Sequence, residues 1–244
     1  MKTKKRKAIE ISGIVIISVI ILTIVGIILL KYNVEGETDL PYTVKQMVII
    51  STANGKNEYT IDSANRWHVD VYQNTDIFFD IERNDEHKST ESIKSIAIEN
   101  IQIQSDNVKP YMPSNDTEET FKYTDNNIIQ DKIIYEVDAN KDIKNKKITT
   151  EGGIIAISFC NTQIGKYIGN EDKLTYDGTL LKKLGLTMED IKTNVKFDLI
   201  LETEANKKYK AEISLNIPAE DITETGISKI IDTELKTIVF KRIN

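Results

Sequence analysis

Beyond residue 66 the chain alternates apolar and polar side chains with a period of two. Trp67, Val69 and Val71 are separated by His68, Asp70 and Tyr72, and after Gln73-Asn74-Thr75-Asp76 the run Ile77, Phe79, Ile81 is set against Phe78, Asp80 and Glu82. Strict alternation puts one set of side chains on a buried strand face, so this stretch predicts a hairpin that turns at 73–76. A cleaner pair lies later, where Val195, Phe197, Leu199 and Leu201 run down one strand, 205–208 turn, and Tyr209, Ala211, Ile213, Leu215 and Ile217 run back. Their matched faces predict an antiparallel pair. Further strands are predicted at 44–52, 93–104, 128–137, 154–159 and 237–243. So many short strands joined by polar turns predict a mainly β fold, an antiparallel β-sandwich.

Two stretches depart from the alternation. Between Gly178 and Lys192, Leu180, Leu184, Met188 and Ile191 recur at helical spacing, which predicts a short helical insertion broken at Gly185, with Thr187 capping its second turn. Its apolar stripe is expected to pack on the sheet. The stretch from Lys109 to Asn127 contains Pro110, Pro113 and the polar run SNDTEE and has no periodicity. It is expected to be a long loop, or the boundary between two sheet units.

The N-terminal region has a different pattern altogether. The twenty residues from Ile11 to Leu30 carry no charge, and Ser12, Ser18 and Thr23 are their polar side chains. At about 1.5 Å per residue they match a bilayer core of roughly 30 Å, which a chain crosses as a helix because its amides find no water there. Lys2, Lys4, Lys5, Arg6 and Lys7 precede the stretch, whereas Lys31 after it is mixed with Glu35, Glu37 and Asp39. The positive-inside rule then predicts a cytoplasmic tail at 1–10, a single span at 11–30, a linker at 31–43 and an extracytoplasmic β-rich domain at 44–244. The apolar run exceeds the usual signal-peptide core and LLKYNVEGE offers no small-x-small cleavage site, so a retained signal anchor is expected. A lipidated cysteine is excluded by the position of Cys160, and a prepilin by the lack of a Gly before Glu10.

Charge and cysteine content narrow the function further. The chain has 32 Lys and Arg against 38 Asp and Glu; setting aside the five N-terminal basic residues and Glu10 leaves 27 against 37, a net charge of −10 outside the membrane. Such a surface repels phosphate backbones and anionic headgroups, so no nucleic-acid partner is expected. With Cys160 as its one cysteine the chain forms no internal disulfide, and its stability rests on the core. The richness in Ile, Lys and Asn suggests an AT-rich bacterial genome.

Four candidate chemistries can be weighed. Cys160 follows the predicted strand GGIIAISF, where a sortase nucleophile would sit, and His68 and His87 lie upstream. A sortase also needs an Arg beyond the Cys to hold the oxyanion; Arg242 is the sole one, and AISFC stands where such enzymes have TLxTC. A buried structural cysteine is the expectation. Gly36-Glu37-Thr38-Asp39-Leu40-Pro41 keeps the Gly and Pro spacing of a signal-peptidase box but puts Thr in place of the Ser nucleophile, and no later segment supplies a Lys base. Leu40-Pro41-Tyr42-Thr43 resembles a sorting signal, yet Val44 replaces its Gly. Asp138-Ala139-Asn140-Lys141-Asp142 begins like a calcium loop, but Ile143 and Thr149 occupy the positions of its Gly and Glu, so a solvated turn is expected. Two histidines and one cysteine without ligand spacing give no zinc site. In Arg66-Trp67-His68 the alternation predicts that Trp67 faces the core and His68 faces out.

The layout of anchor, KYNVEGETDLPYTVKQMVIIST and a C-terminal TELKTIVFKRI resembles uncharacterised single-pass membrane proteins of clostridia and related Firmicutes, over most of the chain. No activity comes with the resemblance. No catalytic, cofactor or metal residue is therefore assigned, and no cofactor is expected. The expected function is a membrane-anchored module, binding or structural, in the cell envelope. Its expected partners are membrane lipid around the span and an envelope protein or polysaccharide. The alternatives are a sortase-like transpeptidase and a subunit of a secretion or pilus-like assembly.

Overall fold

The computed structural model describes residues 20–26, 41–84, 91–115, 119–138, 146–170, 178–233 and 238–243. Among them the strands are β1 (Tyr42–Ile61), β2 (Trp67–Arg83), β3 (Ile93–Ile103), β4 (Lys109–Tyr111), β5 (Ile133–Glu136) and β6 (Lys146–Lys147). They continue as β7 (Gly152–Gly169), β8 (Thr193–Thr203), β9 (Lys208–Ile217), β10 (Ile227–Asp232) and β11 (Lys241–Arg242). Two short helices, α1 (Leu180–Lys183) and α2 (Met188–Ile191), lie between β7 and β8.

The strands form a five-stranded sheet in the order β10-β1-β2-β7-β4 and a six-stranded sheet in the order β11-β9-β8-β3-β5-β6. Neighbours are antiparallel except β5 and β6. The inner faces share one core: Ile49, Ile77, Phe79, Ile155 and Phe159 come from the first sheet, and Ile96, Ile98, Val195, Phe197 and Leu199 from the second. Phe197 joins the layers, its ring centroid 6.0 Å from that of Phe79 and 5.9 Å from that of Phe159. Each such side chain contributes about 1.5–3 kcal/mol through burial. The chain is mainly β in two layers, as the alternation predicts. Strands on either side of 109–127 pair with each other, β2 with β7 and β3 with β8.

Register explains which predictions hold. The β8–β9 pair forms as expected, with Val195 opposite Leu215, Phe197 opposite Ile213, Leu199 opposite Ala211 and Leu201 opposite Tyr209. The expected turn at 73–76 does not exist. β2 runs unbroken through it, with Gln73, Asn74 and Thr75 buried. The phase is the physical reason: odd-numbered residues face inward at Val69 and Val71 and again at Ile77, Phe79 and Ile81, so one strand accommodates both runs. The actual reversal precedes it, between β1 and β2. There the Asp62 carboxylate accepts the backbone N–H groups of Ala64 and Arg66, both at 2.9 Å, and Asn65 adopts a left-handed φ of 59°.

Other strands shift in extent. The expected 128–137 strand shortens to β5, with Ile128 making an isolated bridge to Tyr111. The expected 154–159 strand is part of the much longer β7, and within the expected 237–243 only β11 is strand among the described residues. β10 carries no one-sided apolar pattern, because Ile227 and Ile231 are exposed while Ser228 and Asp232 are half-buried. Its short length and the exposed Lys229 discourage pairing at that edge of the sheet.

The helical insertion follows its prediction closely. Gly185 takes a φ of 70° between the helices, and the Asp190 carboxylate accepts the Thr187 backbone N–H at 2.8 Å and its hydroxyl at 2.7 Å. Those two bonds hold the Asp190 carboxyl below its ordinary range. Leu181 and Ile191 form a small second core with Ala53 and Ile222, while Leu184 packs less deeply, against Gly165.

The expected span at 11–30 lies outside the described residues apart from 20–26, which are helical. Among the described residues no helix is long and apolar enough to cross a membrane.

Candidate functional site

The polar residues in mid-β2 organise both faces of the first sheet. Inward, Thr75 Oγ1 lies 2.9 Å from Ser51 Oγ and accepts the Gln73 amide at 3.1 Å. Outward, Thr52, Asn74 and the Cys160 backbone form one cross-strand row, and Ile50, Asp76 and Ser158 the next. The Thr52 hydroxyl donates to Asn74 Oδ1 at 2.6 Å, and Asn74 Nδ2 donates to Asp76 Oδ1 at 3.1 Å. Asp76 Oδ1 also accepts the hydroxyls of Ser158 at 2.6 Å and Tyr123 at 3.1 Å.

Tyr123 arrives from the segment that follows β4. β4 binds the edge of β7, with Tyr111 opposite Ser158, and the chain then folds back across the sheet's outer face. Three aromatic residues pin it there. Tyr111 and Tyr123 meet edge to face at 5.3 Å, Tyr123 lies 5.8 Å from Tyr72, and Phe121 lies 6.1 Å from Phe78. Ser114 N–H bonds the Thr120 carbonyl at 2.8 Å and Pro113 bridges Phe121, which closes the segment on itself. The stretch expected as a long loop or a boundary between sheet units thus runs, in its described residues, as a strap over the sheet.

Between strap and sheet is a cavity of about 460 Å³ lined by Thr52, Tyr72, Asn74, Asp76, Phe121 and Tyr123, with Glu119 and Lys122 alongside. Burial pushes the Asp76 carboxyl above its ordinary range, opposed by its bonds from Ser158, Asn74 and Tyr123. Burial and then the Asp76 charge push the Tyr123 phenol well up, and burial raises Tyr72 and takes Tyr111 to about 12. These phenols are neutral donors at physiological pH. The wall thus offers hydrogen-bond donors, a carboxylate and aromatic surface, the composition of a ligand site.

Among the described residues, those weighed from the sequence do not assemble into a catalytic group. Cys160 is fully buried in β7, and burial followed by the Asp76 charge raises its thiol far above the reactive range. It sits opposite Asn74, whereas His68 is opposite Ile168; six residues along β2 separate the pair by about 20 Å. His68 Nε2 instead pairs with Asp62 Oδ2 at 2.9 Å, beside the Arg66 guanidinium at 2.7 Å. Those bonds, His68 first, hold the Asp62 carboxyl far below its usual range. Arg242 lies in the other sheet opposite Tyr209, and His87 is outside the described residues. Trp67 shares the phase of the buried Val69 and Val71 but is itself only half-buried near the hairpin tip and belongs to neither buried cluster.

The signal-peptidase-like 36–40 and the calcium-like 139–143 also lie outside the described residues. Thr149 donates its hydroxyl to the Gly152 carbonyl at 2.5 Å. Among the described residues no group of three or more His, Cys, Asp and Glu is placed to hold a metal.

A second groove, about 610 Å³, crosses the outer face of the six-stranded sheet. Three of its charged groups are tied internally, Asp198 with Asn100 at 2.7 Å and with Lys210 at 3.2 Å, and Lys210 with Glu212 at 2.9 Å. The Asp76 pocket was not singled out in the sequence because its residues are common types brought together by pairing: Tyr123 and Asp76 are 47 positions apart. One local signal existed, a polar interruption that leaves the strand phase unchanged. Comparison with protein-family models, with curated proteins and with solved structures finds no match.

Proposed function

We propose that this chain is a non-enzymatic binding module held on the outer face of a cytoplasmic membrane by a helix over 11–30, with the Asp76 pocket as its binding site. The observation that carries the reading is the pocket itself: aromatic rings and convergent polar side chains surround a half-buried carboxylate, and no activated nucleophile among the described residues stands beside it. A site that recognises without reacting needs those parts and no others. The anchor is supported by the uncharged twenty-residue stretch behind its five basic residues. It is further supported by the helical residues Ile20, Ile21, Leu22, Ile24 and Val25, whose apolar side chains are exposed. Bilayer hydrocarbon would cover them.

Two measurements test this. A cysteine added after Asn244 should react with a membrane-impermeant maleimide on intact cells; labelling only after lysis would overturn the topology. Full-length protein in detergent should co-sediment with isolated cell-envelope material, and Asp76→Asn should weaken that association about tenfold. Equal association of the two proteins would remove the pocket from the account.

A further inference from the structure

Resting on the reading of the pocket as a binding site, we propose that its ligand is a neutral sugar unit of an envelope glycan, held through adjacent hydroxyls by Asp76 and Asn74. Among the described residues the three hydrogen bonds to the Asp76 carboxylate all fall on Oδ1, which leaves the lone pairs of Oδ2. Asn74 Nδ2 uses one N–H on Asp76, and its Oδ1 is taken by Thr52. What remains is a carboxylate acceptor beside an amide donor. A hydroxyl is both donor and acceptor, so a pair of neighbouring hydroxyls satisfies the two together. The internal bonds also fix the orientation of both side chains before a ligand arrives, which lowers the ordering cost of binding.

The remaining wall fits the other side of a sugar. Tyr72, Phe121 and Tyr123 line the cavity, and a pyranose carries C–H groups on its faces, suited to aromatic side chains, and hydroxyls around its rim. The volume of about 460 Å³ lies within the usual range of small-molecule sites, about 300–1,000 Å³. Other ligand classes fit less well. An extended peptide binds by adding a strand to a free sheet edge, but Thr52 lies between β10 and β2, and Asn74 between β1 and β7. No backbone edge is open at this place. Anionic polymers meet Asp76, Glu119 and the acid excess of the whole domain, and Lys122 alone opposes them among the lining residues.

The test uses the full chain in detergent micelles, titrated by calorimetry with neutral tetrasaccharides of glucose, galactose and N-acetylglucosamine and, separately, with polyglutamate. At least one tetrasaccharide should bind and polyglutamate should not. Asp76→Asn and Tyr72→Ala should each weaken sugar binding at least tenfold with the fold intact by circular dichroism. Glu212→Gln, in the groove of the other sheet, should leave it unchanged. Sugar binding unaffected by both pocket variants would overturn the site. Absence of binding to every tetrasaccharide would overturn the ligand class. If the same protein still associated with envelope material in an Asp76-dependent manner, the binding-module reading would survive that loss; if it did not, both would fall.

Discussion

The β8–β9 hairpin and the middle of β2 lie in facing sheets and meet at the Phe197–Phe79 ring contact, yet they handle polar residues in opposite ways. From Val195 to Leu201 every inward position of β8 is apolar and buried. In β2 the inward series is interrupted by Gln73 and Thr75, and on the outward side Asn74 is buried and Asp76 half-buried where the strap crosses. Burying an amide or hydroxyl costs stability unless it finds a partner, and in β2 each one finds one. A strand serving the core alone would carry apolar residues there. The contrast teaches that polarity inside an otherwise regular strand marks a place where the sheet is used for something besides cohesion.

Three substitutions break or sharpen the contrast. The largest effect is expected in the apolar region: Phe197→Ala should cost about 3–5 kcal/mol in a denaturant melt, since it empties the junction between the layers. An intermediate effect is expected on the inner polar side of β2. Thr75→Val removes the partner of both Ser51 and Gln73, leaving a buried amide and hydroxyl unpaired, and should cost about 1–3 kcal/mol despite conserving volume. If it proved neutral, the buried polar network would have no structural role.

The smallest effect, and the one with opposite sign, is expected at Asp76. Its carboxyl is raised above the ordinary range by burial, so the folded chain holds that proton more tightly than the unfolded chain. Its favourable contribution is therefore present at low pH and is lost as pH rises through the raised value. Asp76→Asn should melt higher than the native chain at neutral pH, and that advantage should shrink as the buffer is acidified toward pH 4. A constant difference across the range would contradict a desolvated, ionising carboxylate at this position. Stabilisation combined with weaker ligand binding is the signature expected where a site is maintained at some cost to the fold.

Much of the architecture was legible because it rests on local periodicity. The β8–β9 register follows from alternation alone, and the Gly185 break and Thr187 cap follow from residue types with defined backbone roles. Mid-β2 was misread because Gln, Asn, Thr and Asp together are turn formers, and the sheet overrode that preference by pairing β2 with β1 and β7 on both sides. The strap was not legible at all. Tyr111, Phe121 and Tyr123 follow no period, and what they touch lies in β2 and β7. The pocket depends on both the misread strand and the strap, so local pattern reached it only through the polar interruption in β2.

The central claim is that 74–76 are strand interior whose side chains build the pocket, and amide hydrogen exchange tests it most directly. Hydrogen-bonded between β1 and β7, the amides of Asn74, Thr75 and Asp76 should exchange as slowly as those of Ile77 to Ile81. Fast exchange at these residues, with protection on either side, would mean that the chain turns there after all, and the pocket would lose its floor.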